Sequence, residues 1–286
     1  MATKQQIVKS AEGYPLLGWC LYWSVSNFKV AHSKLLQVLD DVGIDKDFAK
    51  EPRAKAALTR AMREVSKEHK GTFSRKVVDD KEKTLFALVD STIDAANEDV
   101  NFTTATKASL GKGKDKEKLH IDGSNAKAVK DNFEHFRKTY TSDQFTGMVK
   151  RFLFGTCEAI SVRDSGGVYF IPTHKKAEYQ KLVKLFDHFQ SCSLDIIPII
   201  DSKEAKKSMW KSLVGRVEGE IENMHEELKR LPTDKDPRAG VIDYKMERFQ
   251  ALREKVENYK DLLEGTAGKL QDDLNQLGKA LGKWVK

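Results

Sequence analysis

The sequence predicts an α+β protein: a winged-helix-like α+β body followed by a C-terminal antiparallel helical hairpin, or coiled coil. Three observations carry this. From about residue 205 onward, apolar residues recur at alternating spacings of three and four, the mark of helices with one buried stripe. Between residues 73 and 200, short apolar stretches with β-branched and aromatic residues are bounded by turn residues, as strands require. Finally, a helix over 53–68 leads into a hairpin over 73–89, and a helix over 142–154 leads into a hairpin over 158–171. Helix followed by hairpin is the wing half of a winged-helix unit, so this order predicts two such units in tandem.

The elements follow in order. Residues 7–12 form a short strand or a loose arm. Trp19 to Ser26 is a strand, and its cluster Trp19, Tyr22 and Trp23 belongs to the core. Val30 to Val42 is a helix that buries Leu35, Leu36, Val38, Leu39 and Val42, with Gly43 as its C-terminal cap. Pro52 opens a second helix, where proline is tolerated. That helix buries Ala57, Leu58, Ala61, Met62 and Val65, and Gly71 closes it. Strands follow at 73–78, 84–89, 100–107 and 119–121, then helices at 125–138 and 143–154. The clearest hairpin is Ala159–Arg163, a turn at Asp164–Gly167, and Val168–Ile171 ending at Pro172. Its paired glycines supply the positive φ angles of a tight turn. Helix 175–190 and strand 194–200 complete the body.

Beyond residue 200 there are two stripes. Trp210, Val214, Val217, Ile221, Met224 and Leu228 form one. Phe249, Leu252, Val256, Tyr259, Leu263, Leu270, Leu274, Leu277, Leu281 and Trp284 form the other. A Pro- and Gly-bearing break, residues 231–240, separates them. The two helices pack on each other or on a second copy, and Val217, Ile221, Met224, Leu228, Leu252, Val256 and Leu263 are the expected oligomerisation contacts. The domain boundaries expected from this pattern are 1–123, 124–200 and 201–286.

Composition narrows the function classes. No apolar run approaches the roughly 18 residues of a bilayer span, so no membrane contact is expected. The N-terminus lacks the charged-then-apolar pattern of a signal peptide, which points to a cytoplasmic protein. Cys20, Cys157 and Cys192 are odd in number and widely spaced, so they read as buried free thiols. The seven histidines show no His-x-x-x-His spacing and no Cys-x-x-Cys occurs. No metal and no cofactor is expected. There is no nucleophile elbow and no His-Glu-x-x-His motif, so no catalytic residue is named. Arg163 and Asp164 near the hairpin tip read as turn-fixing residues.

The net charge of +7 lies mostly in residues 1–200, because the last third is nearly neutral. A polyanion partner would therefore meet the body. Two places carry the candidate contacts. One is the outer face of helix 53–68, with Arg53, Arg60, Arg63 and Lys67, diluted by Glu64 and Glu68. The other is the tract 111–118, with Lys112, Lys114, Lys116 and Lys118 offset by Asp115 and Glu117. Its Gly-x-Gly-Lys is not a phosphate loop, which needs Gly-x-x-x-x-Gly-Lys-[Ser/Thr] between a strand and a helix. The tract reads either as a solvated hairpin loop or as a basic wing on nucleic-acid backbone.

The segment from Tyr22 to Arg63, with Gly166-Gly-Val-Tyr-Phe-Ile-Pro172 in the hairpin, resembles an uncharacterised family of bacterial and phage proteins. The resemblance covers roughly residues 15–200 and leaves the helical hairpin outside. It implies a prokaryotic or phage origin and carries no functional residues. The expected function is a non-enzymatic nucleic-acid-associated or assembly protein that contacts DNA or RNA backbone and oligomerises through its C-terminal helices, in the bacterial or infected-host cytoplasm. The alternative is a protein–protein adaptor, such as a phage factor that binds a host machine without binding nucleic acid.

Overall fold

A computed structural model describes residues 15–94, 98–112, 116–163, 167–231, 239–263 and 268–283, with Gly13 and Ala96. The expected arm at 7–12, Lys114, Asp115, Asp164 and Trp284 lie outside these residues. The strands are β1 (Leu16–Val25), β2 (Lys29–Ala31), β3 (Thr72–Asp79), β4 (Lys83–Asp94), β5 (Asp99–Gly111), β6 (Leu119–Gly123), β7 (Thr139–Thr141), β8 (Ile160–Ser161), β9 (Tyr169–Pro172) and β10 (Cys192–Ile200). The helices of a full turn or more are α1 (His32–Val42), α2 (Ala54–Glu68), α3 (Ala126–Lys138), α4 (Ser142–Gly155), α5 (Lys176–Asp187), α6 (Lys203–Lys229), α7 (Ala239–Leu263) and α8 (Gly268–Gly282). No helix among the described residues is long and apolar enough to cross a membrane.

The chain divides into two units, residues 27–148 and residues 1–26 with 149–286. This differs from the expected boundaries near 123 and 200. The reason is strand pairing. β1 pairs antiparallel with both β10 and β9, from Leu16 opposite Ile200 to Val25 opposite Cys192. The first strand of the chain therefore belongs with its last third.

The 27–148 unit is built on an antiparallel four-stranded meander, β3-β4-β5-β6. Phe86, Leu88, Ala108 and Leu110 point from one face into a core with Ala57, Leu58, Ala61, Met62 and Val65 of α2 and Val129, Phe133 and Phe136 of α3. α1 ends as expected, with Gly43 in the left-handed region at φ 72° and its amide on the Asp40 and Leu39 carbonyls. The helix-then-hairpin order at 54–94 is present, but the hairpin continues into a larger sheet.

In the other unit the sheet order is β10-β1-β9-β8. The expected hairpin forms, although β8 pairs with β9 over only two positions, Ile160 with Phe170 and Ser161 with Tyr169. β10 is an edge strand, which accommodates Pro198. Gly18 lets β1 and β9 close up. A Cβ there would collide with the Ile171 carbonyl oxygen and sit 2.7 Å from the Phe170 ring. Gly18→Ala should therefore lower stability by about 2–3 kcal/mol, read as a lower urea midpoint at unchanged slope. An unchanged midpoint would mean that β1 and β9 can separate at little cost.

The C-terminal region is helical, but it holds three described helices where two were expected. Glu220 and Glu227 of α6 meet Arg248 and Lys245 of α7. Partner numbers fall on α7 as they rise on α6, so these helices run antiparallel. The second stripe does not continue as one helix. α7 stops at Leu263 and α8 starts at Gly268. Gly278 of α8 lies so close to Phe249 of α7 that a Cβ there would be 3.0 Å from its ring. In one straight helix those residues would be roughly 43 Å apart, at about 1.5 Å per residue, so α8 doubles back. The signal in the sequence was Gly265 and Gly268, poor helix residues in the middle of the stripe.

This changes the role expected of the stripe. Val217, Ile221, Met224, Leu228, Val256 and Leu263 are buried in one chain's own core with Leu270, Leu274, Leu277 and Leu281, and Leu252 packs against them. The seam expected between copies is filled by α8. Phe170 and Ile160 join the same cluster, and the Tyr259 hydroxyl donates to the Glu158 carbonyl at 2.8 Å.

Candidate nucleic-acid interface and a cationic cavity

The expected basic residues separate into groups. Arg53 is the exposed N-terminal cap residue of α2 and makes no side-chain cap hydrogen bond. Arg63 and Lys67 are exposed on α2, and Lys67 pairs with Glu64 at 3.2 Å. Arg60 is half-buried and donates to Gln144 Oε1 at 2.8 Å. It holds α2 to α4 and is poorly placed to follow a groove.

The tract 111–118 is anchored at both ends. Lys112 Nζ donates to Asp79 Oδ1 at 2.8 Å and to the Asp80 carbonyl, and Arg137 pairs with Glu117 at 3.2 Å. Lys116 and Lys118 are exposed. The helix face and the loop do meet, at Asp79. That carboxylate accepts from Lys55 at 2.7 Å, Lys76 at 3.0 Å, Lys112 at 2.8 Å and Thr84 at 3.0 Å. Lys112, then Lys55 and Lys76, hold it far below the usual carboxylate range. Three ammonium groups around one carboxylate leave a local surplus of positive charge.

The meander's second face carries no mark in the sequence. Arg75, Ala87, Lys107 and Asp122 are directly opposite one another across the four strands. Their neighbours Lys76, Phe86, Ala108 and Ile121 form the next row. Phe86 and Ala108 point into the helix-side core, so the Arg75 row points the other way. By the same register Phe73 and Val89, and then Ser91 with Phe102 and Ile93 with Val100, lie on this second face. Phe102 is 62% exposed, and its ring meets Phe73 edge-on at 6.0 Å. The Arg75 guanidinium stands over Phe73 at 5.1 Å. Lys107 is exposed in the Arg75 row, two strands across, and the exposed Asp122 ends that row on β6. The arrangement can stack planar groups and meet negative charge together.

A second constellation lies in the other unit. A cavity of 310 Å³ between α6 and α7 is lined by Arg216, Arg248 and Lys255, by Glu220, and by apolar side chains including Leu213 and Leu252. Lys255 is half-buried, with its Nζ 2.5 Å from the Ala159 carbonyl oxygen. Lys255 Nζ and the Arg216 guanidinium both lie 5.7 Å from the centre of the Phe154 ring. Burial pushes the Lys255 amine down to about 8, a shift to which Arg216 adds and which Glu158 and Glu220 oppose.

A match to the family described as "Family of unknown function (DUF6744)" runs over residues 16–283. The chain belongs to that family. The match takes in the C-terminal helices, which the resemblance read from the sequence had left outside. No curated protein and no solved structure matches the DUF6744 chain.

Within this DUF6744 chain, neither constellation is plainly marked in the sequence. Phe73-x-Arg75 and Val100-x-Phe102 alternate as any half-buried strand does, and only the sheet decides which face the helices cover. Lys255 sits between Glu254 and Val256 and reads as one more helix-surface charge. The available signal was Gly215-x-x-x-Gly219, two glycines inside a long helix. Cys20 and Cys157 are buried free thiols as expected, with burial pushing them up to about 11 and about 12, whereas Cys192 is free but only half-buried.

Lys255 makes stability depend on pH. Its folded value lies below the unfolded one, so the unfolded chain holds the proton more tightly between about pH 8 and 10.5. Stability should rise with pH across that window, and the cost of the buried cation is fully present below it. Lys255→Met should equal or exceed wild type at pH 7 by 0 to about 3 kcal/mol. The gap should close near pH 10, as measured by urea unfolding at the two pH values. A constant gap would mean that the amine is fully solvated.

Proposed function

We propose that this protein is a non-enzymatic nucleic-acid-associated protein of a phage or bacterium, and that its 27–148 unit engages single-stranded DNA or RNA in the cytoplasm. The observation that carries the reading is the second face of the meander, with Phe102 exposed, Arg75 over Phe73, and the exposed Lys107 in the Arg75 row. Every base has a π-face, so exposed aromatic rings with nearby cations hold single strands without reading their sequence. The basic rim at Lys55, Lys76, Lys112, Lys116 and Lys118, with Arg53, Arg63 and Lys67 along α2, supplies backbone contacts. The winged-helix-like reading rests on the helix-then-hairpin order of α2, β3 and β4. The open sheet favours stacking on a flat face over insertion of α2 into a groove.

The exposed apolar side chains Ile93 and Val100 support the second reading, a protein–protein adaptor, because they sit where β4 and β5 run on beyond their pairing with β3 and β6. One experiment separates the two. Anisotropy of a fluorescent single-stranded oligonucleotide, with the full chain at about 50 and 200 mM salt, should show binding that weakens roughly 50-fold if about four phosphates are contacted. Absence of binding at the lower salt removes the nucleic-acid reading and leaves the adaptor in front.

A further inference from the structure

We propose that the groove between α6 and α7 binds a small organic phosphate, with the phosphate on Arg216, Arg248 and Lys255 and an apolar body against Ala251 and Leu252. The reading is independent of the nucleic-acid surface, since every residue concerned lies in the other unit.

The charges are arranged for an anion. Three cations and one carboxylate, Glu220, line the cavity; Glu227, outside the lining, pairs with Arg248 and also with Lys245, so the site keeps a net positive charge for a phosphate. Glu220 acts as a spacer. Its Oε1 accepts from Arg216 Nη2 at 3.2 Å and its Oε2 from Arg248 Nη2 at 3.4 Å. Arg248 is held further by Glu227, at 3.3 and 3.2 Å. Lys255 is fixed by the Ala159 carbonyl and the Phe154 ring. Each cation is thus positioned by the protein through part of its donor set, and a guanidinium has five N–H groups and an ammonium three. Planar, pre-placed guanidinium groups suit phosphate oxygens better than a mobile surface lysine does.

The shape is that of a small-molecule site. A cavity of 310 Å³ falls at the lower end of the usual range for small ligands. A second cavity of 210 Å³ adjoins it through the shared residues Arg216 and Glu220 and adds Arg163, Ser161 and Asn223. Its floor is opened by Gly215 and Gly219, where an added Cβ would meet nothing within 4 Å. Two glycines cost a helix about 1 kcal/mol each relative to alanine. Here they leave the α6 backbone approachable.

The test is calorimetric titration of the full chain with phenyl phosphate, inorganic phosphate, benzoate and phenol. Phenyl phosphate should bind saturably and tightest. Inorganic phosphate lacks the body, benzoate the second charge and phenol any charge, so each should be weaker. Arg216→Gln and Lys255→Met should each weaken phenyl phosphate by about tenfold or more, the loss of one charge-assisted partner. Circular dichroism melting establishes that each variant is folded, and Lys255→Met is expected to melt no lower than wild type. The proposal is overturned if phenyl phosphate binds no better than phenol, or if both variants melt normally and bind it unchanged. Loss of oligonucleotide binding in the preceding experiment would leave this result untouched.

Discussion

Ile221→Glu combined with Leu263→Glu is expected to unfold the C-terminal bundle rather than to dissociate an oligomer. Ile221 and Leu263 are 5% and 3% exposed within a single chain, in the cluster shared by α6, α7 and α8. A carboxylate placed in that interior has no partner and no water. Each such burial costs several kcal/mol, and a whole domain is stable by only about 5–15 kcal/mol. The double variant should therefore lose most of the helical circular dichroism contributed by residues 203–282 and its cooperative urea transition. Had the stripe been an intermolecular seam, the same changes would give a folded monomer with the wild-type spectrum. Sedimentation beside the spectrum tells the two apart, and a normal spectrum at reduced mass would refute the intramolecular reading.

Phe102→Ala with Arg75→Glu is expected to reduce single-stranded oligonucleotide affinity by roughly 100-fold at low salt. A stacked base is worth about 1–3 kcal/mol on alanine substitution, and reversing one phosphate-facing charge adds to it. Both side chains are exposed, so the fold should survive, and the urea midpoint should stay close to wild type. The comparison variant is Arg63→Glu with Lys67→Glu on α2. It should lose affinity only several-fold and chiefly flatten the salt dependence, because those residues meet backbone alone. Arg60 is left out of it, since its guanidinium is engaged with Gln144. If Phe102→Ala is silent while the α2 variant abolishes binding, the helix and not the sheet face is the contact surface.

What the sequence determined by itself was local. The three-four spacing of Val217, Ile221, Met224 and Leu228 requires a helix with one apolar face wherever that face goes. Gly43 requires a helix end, because its left-handed backbone is cheap only without a Cβ. Residues 54–68 and 126–138 bury the apolar faces their periodicity implies. The tertiary structure decided which faces meet. A stripe specifies that a face is buried and not by what, so the same residues could serve an intermolecular seam or, as found, accept α8 from their own chain. Periodicity cannot pair Trp19 with Pro198, which are far apart in sequence and carry no mark of one another. Alternation in β3 and β5 cannot say which face the helices will cover, and that choice alone left Phe102 in solvent. Lys255 makes the same point for charge. Its position in the sequence is that of a solvated helix residue, and only the approach of Phe154 and the Ala159 carbonyl turned it into a cation held at the edge of a cavity.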